Sequence, residues 1–100
     1  MTLISQMNIS EYDKRQLSLM KEMLVLYSNS KISLKKLIDN LEGLLNSLES
    51  IDDDWRCHFR EHWFTLEQVY SVSLFRNEQI NPADSDILEA LTEINRLISS

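Results

Sequence analysis

An all-α fold, a compact antiparallel bundle of about four helices, follows from two features of the sequence. The first is punctuation: 100 residues contain one glycine and one proline, far fewer turn-forming residues than sheets or barrels need. The second is spacing, since four segments repeat apolar residues at three- and four-residue steps. The composition, 43% apolar and 26% charged, is that of a globule rather than a disordered chain. A chain of this length builds one core. Residues 1–100 are therefore expected to form a single helical domain, with residues 1–8 a loose lead-in.

The first helix is expected from about Ser10 to Tyr27. Ser10 followed by Asp13 resembles a capping box, with Asp in place of the usual Glu or Gln. Leu17, Met20, Leu24 and Tyr27 then recur on one side, with Met23 beside them.

In the second helix Leu34, Leu37, Ile38, Leu41, Leu44, Leu45 and Leu48 make one broad apolar stripe, and Ser33 or Ser30 can cap it. Asp39, Glu42, Asn46 and Glu49 form a second stripe, about 120° from the leucines at 100° per residue. Gly43 lies nearly opposite the core. It reads as a tolerated surface glycine, or as a place where a partner approaches closely.

The third helix is expected to start at Asp52 or Asp53, whose carboxylates suit the positive end of the helix dipole, and to run to about Asn77. Trp55, Phe59, Trp63, Leu66, Tyr70 and Leu74 share one face, with Val69 at its edge. Core packing is the expected role of both tryptophans, their ring nitrogens finding acceptors at the core edge. Phe64 and Phe75 point the other way, near Cys57. A helix apolar on two sides is usually central, so these phenylalanines are expected to pack on another helix or on the N-terminal segment; the alternative is an exposed binding patch.

The last helix follows Asn81-Pro82-Ala83-Asp84. Pro82 suits a first turn, and Asp84 is a candidate for the actual cap. Ile87, Leu91, Ile94 and Ile98 mark the buried side, with Leu88 and Leu97 adjacent.

Charge narrows the function. The formal net charge is −6. Residues 1–38 carry six basic and three acidic side chains, residues 39–100 four basic and thirteen acidic. The densest stretch, 39–54, holds Asp39, Glu42, Glu49, Asp52, Asp53 and Asp54 with no Lys or Arg. Such a field repels phosphate backbones and attracts basic surfaces. Direct nucleic-acid binding is disfavoured, although Lys31, Lys35 and Lys36 make a small basic patch. The competing reading is a solvated acidic surface that aids solubility.

Compartment and chemistry are bounded in the same way. The N-terminal residues lack the basic and apolar regions of a secretory signal. The longest apolar run, Met23-Leu24-Val25-Leu26-Tyr27, is far short of the roughly 20 residues a membrane span needs. One cysteine excludes an internal disulfide and a multi-cysteine zinc site. A cytoplasmic protein, with no membrane association, is the expectation.

His58-Phe59-Arg60-Glu61-His62 matches the H-x-x-E-H pattern of one metallopeptidase class. Its spacing puts both histidines on one helix face, with Glu61 as the group to activate water. A third protein ligand and a substrate cleft are missing from the pattern, so packing histidines are expected and neither metal nor cofactor. Cys57 and His58 are adjacent on a helix and point about 100° apart, which disfavours a nucleophilic pair. A buried or half-buried structural thiol is expected. One glycine cannot build a phosphate loop. No enzyme activity is expected; a zinc enzyme would require stoichiometric metal and loss of activity in His58→Ala and Glu61→Ala.

The stretch Ile32-Ser33-Leu34-Lys35-Lys36-Leu37-Ile38, then Leu41-Glu42, Leu44-Leu45 and Leu48-Glu49, continues through Asp54-Trp55, Phe59, Trp63 and Leu66-Glu67 to Tyr70. This layout resembles small all-α bacterial immunity proteins encoded beside polymorphic toxins, including contact-dependent growth-inhibition systems. It covers roughly residues 30–75, with a trailing helix like that at 84–98. The resemblance implies an inhibitor without chemistry of its own, which binds a cognate toxin domain, often a nuclease, and blocks its active site or substrate path. Nucleases present basic clefts, which an acidic helical surface complements. Asp39, Glu42, Glu49, Asp52, Asp53 and Asp54 are then the expected contact residues. The alternative is a helical interaction or regulatory module that self-associates through the second or third helix.

Overall fold

Each apolar stripe becomes one wall of a common core. The computed structural model describes residues 3–99 and contains four α-helices, α1 (Glu11–Ser28), α2 (Leu34–Ser47), α3 (Asp53–Arg76) and α4 (Ser85–Ser99), preceded by a single 3₁₀ turn at Ile4–Gln6. Each helix packs on the next and α1 closes onto α4. Cross-helix pairs give the directions. Asn40 of α2 meets Met23 of α1, and Ser47 meets Gln16. Trp63 of α3 reaches Ile38 of α2, and Trp55 reaches Leu97 of α4. The order is thus up-down-up-down, with the α2–α3 corner and the end of α4 at one pole.

Helix boundaries follow from local chemistry. Ser10 Oγ accepts the amide of Asp13, and Ser33 Oγ that of Lys36, so both serines act as N-caps. Asp84 Oδ1 accepts from the amides of Asp86 and Ile87, which leaves Pro82 outside the helix, in the turn before it. At the other ends, Ser30 (φ 60°) and Asn77 (φ 54°) adopt the left-handed conformation. The amides of Lys31 and Glu78 then fold back onto the carbonyls of Leu26 and Ser73. These six-to-one bonds close α1 and α3 in the Schellman manner.

The core centres on Trp55, Phe59, Leu37, Leu41, Leu66, Met20, Ile87 and Ile94, all fully buried. Trp55 and Phe59 stack with ring centroids 5.3 Å apart. Each indole N–H donates to a helix carbonyl, Trp55 to Leu97 at 3.0 Å and Trp63 to Ile38 at 2.9 Å. Those bonds remove the penalty of burying a polar N–H. The N-terminal segment is not a loose lead-in: Ile4, Met7 and Ile9 pack against the core, and the 3₁₀ turn touches α4. Apolar residues at three positions give the segment area to bury, which a short polar tail would lack. Met1 and Thr2, part of the same expectation, lie outside the described residues.

Three expectations on α3 fail. Phe64 is 53% and Phe75 93% exposed, and neither packs on another element of the core; Leu74, expected on the buried face, is 63% exposed. Phe64 and Phe75 lie on the side of α3 opposite Trp55 and Leu66, which no other helix among the described residues covers; for Leu74 the reason is length. At 1.5 Å per residue α3 spans about 36 Å, whereas α2 spans about 21 Å and α4 about 22 Å. No α3 residue after Leu66 is fully buried. The buried stripe continues in sequence through Tyr70 to Leu74 but outruns the helices that would cover it. On α4, Leu88 is likewise half exposed, while Ala90 takes a core position.

Gly43 faces open space, and a Cβ built there meets nothing within 4 Å. No internal packing requires glycine at this helical position. Gly43→Ala is therefore expected to stabilise the fold by up to about 1 kcal/mol, read as a rise in the urea midpoint with unchanged slope.

Candidate functional site

All six expected contact residues, Asp39, Glu42, Glu49, Asp52, Asp53 and Asp54, are exposed. They divide into a stripe along α2 and a cluster at the α2–α3 corner. Along the stripe the acids are not alone. Lys35 Nζ lies 2.9 Å from Asp39 Oδ2, and that hydrogen bond holds the ammonium above its ordinary pKa. Arg60 reaches across from α3 and donates to Asn46 at 2.9 Å, between Glu42 and Glu49 in the register of the stripe. Folding thus brings cations to a stretch that lacks them in sequence. Glu42, Glu49, Asp52 and Asp53 make no ion pair among the described residues.

The corner backbone is fixed from two sides. From α1, Asp13 is fully buried and accepts the amides of Glu49 at 2.9 Å and Ser50 at 2.6 Å, one on each carboxylate oxygen. From α3, Arg56 donates to the carbonyls of Leu45 at 3.2 Å, Leu48 at 2.5 Å and Ile51 at 3.4 Å. Arg56 thus satisfies one of the carbonyls that α2 leaves open at its C-terminus, that of Leu45, together with two carbonyls of the connector, and Asp13 satisfies two connector amides. Leu48 and Ile51 anchor the same connector in the core. Glu49, Asp52 and Asp53 consequently project from backbone that is already ordered, which lowers the entropy lost when they meet a partner.

Neither Asp13 nor Arg56 is assigned this role by sequence pattern. Asp13 reads locally as the third residue of a capping box, yet its side chain turns away to residues 36 and 37 positions downstream. The box is half formed: Ser10 receives the Asp13 amide, and nothing returns from the Asp13 carboxylate to Ser10. The available signal is substitution of the expected Glu by a shorter acid.

The H-x-x-E-H segment lies on the outer side of α3. His58 and His62 are half-buried and Glu61 is exposed. His58 Nδ1 is 2.9 Å from the Asp54 carbonyl oxygen, so that nitrogen donates to its own helix, with the Asp54 carboxylate 3.9 Å away. Among the described residues no three His, Cys, Asp or Glu side chains come together in an arrangement fit to hold a metal ion. Cys57 is exposed, contrary to the expectation of a buried or half-buried thiol, because it sits on the side of α3 turned away from Trp55 and Phe59. It is expected to react stoichiometrically with a thiol reagent in native protein without loss of helicity. Protection until the chain unfolds would contradict that placement.

No helix among the described residues is long and apolar enough to cross a membrane. The chain matches no family model, and no curated protein or solved structure matches it.

Proposed function

We propose that this chain is an immunity protein, which binds and neutralises a cognate bacterial toxin domain by occluding its active site or substrate path. The observation that carries this reading is the α2–α3 corner. Glu49, Asp52 and Asp53 stand exposed and, among the described residues, without ion-pair partners, on backbone that Asp13 and Arg56 hold in place. An unpaired, preorganised acidic surface suits a protein partner with a basic cleft, for which a nuclease domain is the natural case. The net charge of −6 adds long-range attraction to such a partner and repulsion toward nucleic acid. The reading needs no cofactor and no chemistry from this chain, and it operates in the cytoplasm where the toxin acts.

The test is growth rescue. The chain is co-expressed with the C-terminal domain encoded immediately upstream of its gene. Specific rescue together with a co-purifying complex supports immunity. A toxic neighbour against which the soluble chain gives no protection overturns it.

A further inference from the structure

At the pole opposite the acidic corner, the end of α3 stands beyond its neighbours. Residues 68–76 extend roughly 14 Å at 1.5 Å per residue, past Leu66, the last fully buried α3 residue. The connector 77–84 folds back beside this overhang and leaves a groove of about 790 Å³. Phe64, Val69, Val72 and Ile80 give the groove its apolar lining, and Phe75, in the turn of α3 beside the lining residue Arg76, is 93% exposed. Glu67, Glu78 and Asp86 stand on its walls, with Arg76 as the one cation among the lining residues. None of these four makes an ion pair among the described residues.

We infer that this groove seats a basic amphipathic helix of a partner protein, at a site separate from the acidic corner. The apolar side chains supply a face for residues spaced three and four apart on a docked helix. The surrounding carboxylates match Lys or Arg on its flanks. Charge also decides against two other occupants. A second copy docked about a two-fold axis would set the same acidic rim against itself. An anionic membrane surface would be repelled by it. Exposed aromatic rings on an ordered helix have the character of interface anchors, and among the described residues Phe64 and Phe75 stay largely uncovered.

The probe is a capped, fluorescent amphipathic peptide of leucine and lysine, about three to four helical turns long, with a leucine–glutamate peptide of equal length as the comparison. The lysine peptide is expected to bind and the glutamate peptide not. Val72→Ser with Phe75→Ser is expected to weaken binding at least about tenfold, as loss of an anchored contact does. Asp52→Asn with Asp53→Asn, at the other pole, is expected to leave it unchanged. Amide shifts of the unmodified protein with the lysine peptide should cluster in residues 64–86, a readout that needs no variant. Shifts centred on residues 39–54, equal binding of both peptides, or no binding overturns the inference. A dimer in sedimentation that Val72→Ser with Phe75→Ser dissolves would make a second copy the occupant and overturn it as well. None of these outcomes depends on whether the chain rescues growth.

Discussion

Asp13→Ala is expected to lower the unfolding free energy by about 3–5 kcal/mol, the range for removing one partner from a buried, charge-assisted hydrogen-bond set. The variant removes the acceptor of two amides, those of Glu49 and Ser50, at a position from which water is excluded. Both amides keep their cost of desolvation and lose their compensation. Asp13→Asn should fall between, because one carbonyl oxygen still accepts while the amide nitrogen faces a donor. Urea unfolding followed by helical circular dichroism measures both. A loss under about 1 kcal/mol for Asp13→Ala would mean that the connector relaxes and solvates its amides, since ordinary surface changes stay near that size. Ser10→Ala, which removes only a helix cap, should cost about 1 kcal/mol.

The second large effect concerns the proposed complex. Asp52→Lys combined with Asp53→Lys is expected to slow association with the toxin domain by about 10–100-fold at low ionic strength, with the difference shrinking as salt is added. Stability should fall much less. Asp53 lies in the first turn of α3, and Asp52 flanks it without a side-chain capping bond, so what is lost is a favourable charge–dipole term of about 0.3–1 kcal/mol each and its reversal. Stopped-flow association against salt concentration separates the two consequences. Unchanged association with intact helicity would remove this corner from the contact surface.

How much of this was legible beforehand divides along physical lines. The stripes of α2 and α4 and the caps at Ser10, Ser33 and Asp84 could be read directly, because they depend on residues a turn apart. The tryptophan acceptors could be anticipated in kind but not in identity, since Ile38 and Leu97 are chosen by packing. The exposure of Leu74 could not be read from α3 alone, whose periodicity is the same in its covered and uncovered halves. It depends on where α2 begins and where α4 begins. The acidic residues were correctly expected at the surface, and the Lys35–Asp39 pair is an i,i+4 spacing within α2 itself, but the approach of Arg60 to their stripe and the grip of Asp13 and Arg56 on the connector arise from cross-helix geometry. Residue spacing along one helix carries no information about either.

The unequal covering of α3 divides one continuous helix thermodynamically. Up to Leu66 one face of the helix, Trp55, Phe59, Trp63 and Leu66, belongs to the core, so opening those turns is expected to require global unfolding. From Gln68 to the Asn77 cap, helix hydrogen bonds and partly buried side chains hold the chain, and short helices without packing are marginal in water. Amides near Phe75 should therefore exchange with deuterium through local fraying, orders of magnitude faster than those near Phe59. Native-state trypsin should cut first after Arg76. The same residues that leave their apolar side chains in water are those whose backbone can be ordered by whatever comes to cover them, so occupancy of that end would register as protection from exchange far from any change in the core.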